Sequence, residues 1–133
     1  MLTKEAILAA DDLPTEDLHV PEWGGPVRVR GLNCADRDAF LMELLRWKKG
    51  DTFDPAGVHG QKAKLVQMTV CNGDGSLLFN VEDRAALGVK SAAALDRIYA
   101  VAMRLSGLSA EAAETAEVVG KFESGGSSGS GSS

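Results

Sequence analysis

The side chains that could do chemistry in this sequence are few and widely spaced. Histidine occurs at His19 and His59, and cysteine at Cys34 and Cys71. Zinc sites draw on such ligands in closely spaced sets. Here none stand at CxxC or HxxxH spacing, so they read as a turn-proximal histidine, a loop histidine and two small, semi-buried thiols. No metal site is expected. "NGDGS", Asn72–Ser76, puts Asn72, Asp74 and Ser76 at the first, third and fifth positions of a calcium loop. Leu77 would then stand where glycine is needed, and Asp83 where glutamate is preferred, so a tight turn is the better reading. "EWGG" is too short for a phosphate loop, and no helix follows it directly. Paired acids for glycosidase chemistry need a cleft lined with aromatics, and aromatics are only 5% of the chain. The expectation is a protein that is no enzyme and takes no cofactor.

Charge narrows the partners further. Nineteen acidic residues against 14 basic give a formal net charge of −5. An acidic chain repels phosphate, which argues against nucleic acid or an anionic membrane as partner. The basic clusters "RVRG" and "RWKK" are small. No apolar run approaches the roughly 18 residues of a membrane span. "MLTKEAILAADDLP" also lacks the apolar core and cleavage site of a signal peptide. With only two cysteines, the default compartment is a reducing cytosol.

The elements that must position these residues are read from pattern. At 133 residues, 44% hydrophobic and 25% charged, the chain has room for one folded domain and one core. Scarce aromatics leave that core to aliphatic residues and alanine, which favours helices. "SGGSSGSGSS", 124–133, has nothing to bury and reads as a flexible added linker, leaving a single domain over 1–123. Thr3 caps a first short helix that runs to Ala10. "EDLHV" and "VRVRG" bracket "PEWGGP": Leu18 and Val20 point one way, as do Val27 and Val29, with Arg28 and Arg30 opposite. Gly24 and Gly25 supply the positive φ of a tight reversal, so this is a hairpin, and two strands alone must lie on something. Arg28 and Arg30 are either a solvated strand face or a contact for an acidic partner.

Asn33 caps the next helix, which runs through "CADRDAFLMELLRWKK" to Gly50, with acids in its first turn and bases in its last. Phe40, Leu41, Leu44 and Leu45 make its apolar stripe, with Trp47 at the edge. "DTFDPAGVHG" is a loop. "QKAKLVQMTVCNGDGSLLF" is ambiguous. With period two, Val66, Met68 and Val70 alternate with polar residues before the turn. With helical period, Ala63, Val66 and Val70 share a face. Val81–Leu87 is a short helix stopped at Gly88. Ser91 caps "AAALDRIYAVAMRLSG", whose Leu95, Ile98, Tyr99, Ala102 and Leu105 share one face before Gly107 ends it. Ser109 caps a last helix with a thin apolar face. The fold class expected is α+β, mainly α: a small N-terminal β-hairpin packed on four to five helices.

Two long stretches carry a resemblance. "ILAADDLPTEDLHVPEWGGPVRVRGLNCADRDAF" and "LLFNVEDRAALGVKSAAALDRIYAVAMRLSGLS" resemble the tail assembly chaperones of siphophages, phages with long, non-contractile tails. The similarity runs over nearly all of 1–123 and is weakest in "LRWKKGDTFDPAGVHGQK". It implies a mainly helical fold, which favours helix for Lys62–Cys71. It also implies binding of the phage tape measure protein, which is kept soluble in the host cytoplasm until the tail tube forms, and absence from the mature virion. Such proteins are often made in a short form and a frameshift-extended form that recruits tail tube subunits. No extension is visible here, so the short form is expected. Members can assemble into homo-oligomers, so self-association is a further expectation.

The residue pattern agrees with that role, because apolar helix faces could hold an apolar client chain. The candidates for partner contact are Trp23, Leu41, Leu44, Leu45, Ile98, Tyr99 and Ala102. Each could instead be plain core, and Trp23 could pack back on its own domain. The hairpin itself is expected to be structural, with its Leu18, Val20, Val27 and Val29 face on the Phe40 helix.

Overall fold

A computed structural model of the chain describes residues 1–46, 48–49, 52–53 and 60–108. In chain order its elements are α1 (Lys4–Ala9), β1 (Thr15–Val20), β2 (Gly25–Arg30), α2 (Cys34–Arg46), β3 (Lys48–Lys49) and β4 (Thr52–Phe53). There follow α3 (Gln61–Thr69), β5 (Val70–Cys71), α4 (Arg84–Leu87) and α5 (Ala92–Leu105). The described residues thus form an α+β fold, mainly α, as expected. Five helices accompany a three-stranded antiparallel sheet of order β1-β2-β5 and a separate β3-β4 ribbon. His59, Trp47 and the helix expected after Ser109 lie outside the described residues, as does the Gly/Ser tail.

The hairpin forms as expected, and its register runs from Thr15 opposite Arg30 to Val20 opposite Gly25. Its reversal differs from a double-glycine turn. Pro21–Trp23 make one 3₁₀ turn, Gly24 closes it at φ 79°, and Gly25 already belongs to β2. Proline's fixed φ suits the first position of that turn, and only the closing residue needs a left-handed backbone. Val20 and Val29 have no exposed area, and Leu18 and Val27 pack partly buried against the core.

The hairpin lies chiefly on α5, which corrects the expectation that it would lie on the Phe40 helix. Two ion pairs fix it there: Arg104 reaches Glu16 at 2.7 Å, and Arg97 grips both Glu22 oxygens. At the open end the backbones meet directly. Gly31 donates to the Pro14 carbonyl at 2.8 Å, and the Leu32 amide donates to the Ser106 hydroxyl at 2.9 Å. A Cβ on Gly31 would stand 2.5 Å from the Leu105 carbonyl oxygen, so only glycine lets the strand exit come this close. α5 ends in a Schellman-type cap, with Gly107 at φ 76° and the Leu108 amide on the Met103 carbonyl. Phe40 is fully buried in the same core, but it is the buried residue α2 contributes.

The ambiguous stretch resolves into both readings in turn. α3 starts after Gly60 (φ 84°) and buries Ala63, Leu65 and Val66 against α5 and α4. It stops at Thr69, whose hydroxyl donates back to the Leu65 carbonyl at 2.7 Å, a bond that competes with helix continuation. Val70 then turns extended, and Val70–Cys71 pair with Val29 and Arg28. The "NGDGS" turn folds Leu77 back beside Cys71. One expectation fails at the end of α2. The helix stops at Arg46, not Gly50, because Lys48–Lys49 are extended and paired with Thr52–Phe53.

Gly31→Ala is expected to destabilise the fold by about 1–3 kcal/mol, since backbone must move to admit the methyl group. Gly25→Ala, where an added Cβ meets nothing within 4 Å, should stay within about 0.5 kcal/mol of the parent. Urea unfolding midpoints of the two variants give the comparison. Equal midpoints would mean the seam at Leu105 is looser than described.

Candidate protein-binding surface

Among the described residues, two apolar surfaces beside the core bear on partner contact. The first is on α2. Asn33 caps this helix, accepting from the Asp36 amide at 2.8 Å through its side chain and from the Arg37 amide at 2.9 Å through its carbonyl. Asp36 in the first turn and Arg46 in the last match the helix dipole. Phe40 anchors the helix and Leu41 packs beside it, partly buried. Leu44 is half-buried, Leu45 is 44% exposed and Met42 67%. Ala35, Ala39 and Met42 share one exposed stripe at i, i+4 and i+7, with Leu45 one turn beyond Met42. Met42 is not among the residues expected from sequence, because a stripe drawn through Phe40 puts it on the opposite side of the helix.

The second surface is a cleft at the hairpin tip. Trp23 comes from the 3₁₀ turn, which Glu22 holds in place through Arg97, and is half-buried. With Phe79, Ala86 and Leu87 it lines a cleft of about 470 Å³ whose charged lining is Asp83 and Lys90. Asp83 also accepts from the Asn80 amide at 2.9 Å, fixing the start of the short helical stretch that carries Ala86 and Leu87. These residues lie far from Trp23 in sequence, so no local pattern could join them to it.

The α5 candidates divide. Ile98 and Ala102 have no exposed area. They are core residues beneath α3 and the hairpin, and offer nothing to a partner in this fold. Tyr99 is half-buried with the Lys62 ammonium 5.8 Å from its ring centre, and burial raises its hydroxyl pKa above the usual tyrosine value. Lys62 also pairs with Asp96, and Lys64 with Glu43, along a wider cleft between α3 and α5. Arg84 donates to the buried Gln67 amide at 2.9 Å, whose nitrogen donates to the Phe79 carbonyl at 3.1 Å. The charges of this second cleft are thus largely spent within the molecule.

Cys34 is exposed, Cys71 is buried, and both are free thiols; His19 is exposed on β1. Burial is the main cause that raises the Cys71 thiol pKa, which works against reactivity. Among the described residues no group of three or more His, Cys, Asp or Glu could hold a metal. The "NGDGS" loop is closed on itself: the Asn72 amide donates to the Ser76 carbonyl at 2.8 Å, and Ser76 donates to Asp74 through its amide and its hydroxyl. Arg30 donates to the Gly75 carbonyl at 3.0 Å, and Arg28 is paired with Asp17. Both arginines are thereby engaged inside the molecule. No described helix is long and apolar enough to cross a membrane.

The fold has a solved counterpart. The chain is similar to the bacteriophage HK97 tail assembly chaperone, with a TM-score of 0.57 and 15% identity, over 76% of this chain and 94% of that one. It shares that protein's fold. No protein-family model and no curated protein matches the sequence. The likeness covers nearly the whole of the HK97 chain, so it is the domain architecture that is shared and not a fragment.

The Glu22–Arg97 pair that sets the tip is exposed at the surface and sensitive to acid. The Arg97 guanidinium holds the Glu22 carboxyl below its usual value of 4.5. Its contribution is therefore present above about pH 4.5 and lost as pH falls through the depressed value. Glu22→Gln should lower the melting temperature slightly at pH 7 and merge with the parent once pH falls below the depressed value, so that its fall on acidification is the shallower. Parallel melting curves that differ by a constant at every pH would contradict this.

Proposed function

We propose that this protein is a phage tail assembly chaperone. It binds the tape measure protein in the host cytoplasm, keeps that long apolar chain soluble while the tail is built, helps recruit tail tube subunits, and leaves before the virion is complete. The observation that carries the proposal is the shared fold across 94% of the HK97 tail assembly chaperone. The ordered resemblance along both halves of the sequence supports it independently of that fold.

The surface best suited to such a client is the outer face of α2. Met42 and Leu45 stand exposed beside half-buried Leu44 on a helix held by a single buried phenylalanine. An apolar, helix-rich client can lay a complementary stripe along such a face without any covalent step. The net charge of −5 keeps a complex soluble while this face is occupied.

Co-expression with the tape measure protein of the same phage tests the reading. The tape measure protein should move from the pellet to the soluble fraction and co-purify. The Met42→Asp, Leu45→Asp double variant, altered only at exposed positions, should keep its circular dichroism and lose most of that rescue. A client that stays insoluble beside the parent protein would end the proposal. Mass spectrometry of purified virions should find the protein absent; its stoichiometric presence would make it a structural tail component.

A further inference from the structure

We propose that the outer face of α2 is the docking site of residues 109–122 of the same chain. Among the described residues that face is apolar and open. Ala35 and Ala39 are exposed, Met42 keeps 67% of its area and Leu45 44%. The four fall at i, i+4, i+7 and i+10, one stripe of a helix. Read with helical period, the sequence beyond Leu108, the last described residue, repeats that spacing. Ala112, Ala116, Val119 and Phe122 also stand at i, i+4, i+7 and i+10. Laid side by side, the stripes meet small on small first, Ala35 with Ala112 and Ala39 with Ala116. They then meet large on large, Met42 with Val119 and Leu45 with Phe122. Facing alanines let two helix backbones approach closely, and the larger pairs fill the wider end.

The described chain ends where such docking must begin. Ser106 holds the Leu32 amide just before α2, and a Cβ on Gly107 would stand 3.1 Å from a terminal nitrogen of Arg37. The exit at Leu108 is therefore at the N-terminal end of α2. The 13 residues of α2 rise about 20 Å, and a helix over 109–122 would rise about 21 Å, enough to cover it end to end. The stripes match in size only if the two run parallel. Starting from the same end gives that direction without a reversal.

Charge points the same way. The Nε of Arg37 is buried without a hydrogen-bond partner among the described residues. Glu111 follows Leu108 by three residues, about 10 Å of extended chain, which brings a carboxylate within reach of that guanidinium. Glu111, Glu114 and Glu117 would all lie toward the N-terminal end of α2, where the helix dipole is positive, and Lys121 toward its negative end. Tethered at Leu108, the segment also meets the face at a raised local concentration that a free partner lacks. On the proposed function a client has to displace it to reach Met42 and Leu45. The docking itself does not rest on that reading.

The test uses the full chain and contains no client. With Cys34→Ser removing the exposed thiol, Ala39→Cys is combined with Ala116→Cys or, one residue off the stripe, with Glu117→Cys. Mild oxidation should link the first pair within one chain, read by peptide mapping of the monomer band. It should leave the second pair largely open, since a disulfide needs facing Cβ atoms and Cα atoms within about 7 Å. Separately, hydrogen peroxide should oxidise Met42 several-fold more slowly in the parent than in a Val119→Asp, Phe122→Asp variant, with the open Met1 as internal reference. Equal linking of both pairs, a link between two chains, or a Met42 rate unmoved by the double variant overturns the proposal. If the charged variant loses its circular dichroism, Val119→Ser with Phe122→Ser replaces it with the same expectations. A client that stays insoluble beside a protein passing these tests would end the functional proposal and leave this one standing.

Discussion

The seam between the hairpin and α5 is the constraint on which the rest of this structure depends. Gly31 must pass close to the carbonyl of Leu105, and Leu32 must find the Ser106 hydroxyl, for Val20 and Val29 to seat in the core. The ion pairs Glu16–Arg104 and Glu22–Arg97 lie on the surface of this seam. Exposed pairs contribute little free energy, because water and salt screen them. Their role is to fix alignment, while apolar burial at about 1.5–3 kcal/mol for each large side chain supplies the stability. With the hairpin seated, β2 offers its free edge to β5, and β5 in turn sets where α3 must end.

That arrangement decides what is left outside. α3 and α5 meet face to face and, with the sheet, fill the interior with Leu65, Val66, Val70 and Ile98. A domain this small has one such interior, and the remaining apolar side chains of α1 and α2 find no room in it. α2 enters the core through Phe40, with Leu41 partly buried beside it, and none of α1's residues is buried. The exposed Met42, Leu45, Ile7 and Leu8 are therefore a consequence of the topology.

The sequence is legible where its chemistry is local. The caps at Thr3, Asn33 and Ser91, the glycine stop at Gly107 and the alternation in both hairpin strands stand in the structure as their residues dictate. Lys62–Cys71 defied a single reading because each periodicity holds for only part of it; Thr69 is where one gives way to the other. Surfaces were harder. A helical stripe tells which residues turn together, not what covers them. Ile98 and Ala102 accordingly proved to be core, while Met42 was overlooked. The hairpin's resting place on α5 and the Trp23–Phe79 cleft depend on residues far apart in the chain, and neither leaves a mark in any short window.

The energetics of the exposed faces bear on how such a molecule could hold a long client on the proposed reading. Two or three aliphatic side chains gain about 1.5–3 kcal/mol each on burial. Ordering them costs about 0.5–1.5 kcal/mol apiece, and association itself costs about 4–15 kcal/mol. One copy of this domain, bound through Met42, Leu45 and Leu44 alone, would therefore release its client readily. Firm capture needs several copies on one client, where each contact after the first is made at a raised effective concentration. Weak individual contacts also let the copies leave one at a time as a stronger partner takes their place. A larger apolar face would bind more tightly alone, but at a cost in solubility that a net charge of −5 on a small domain would offset poorly. The modest size of the α2 face thus suits a holder that acts in numbers and lets go.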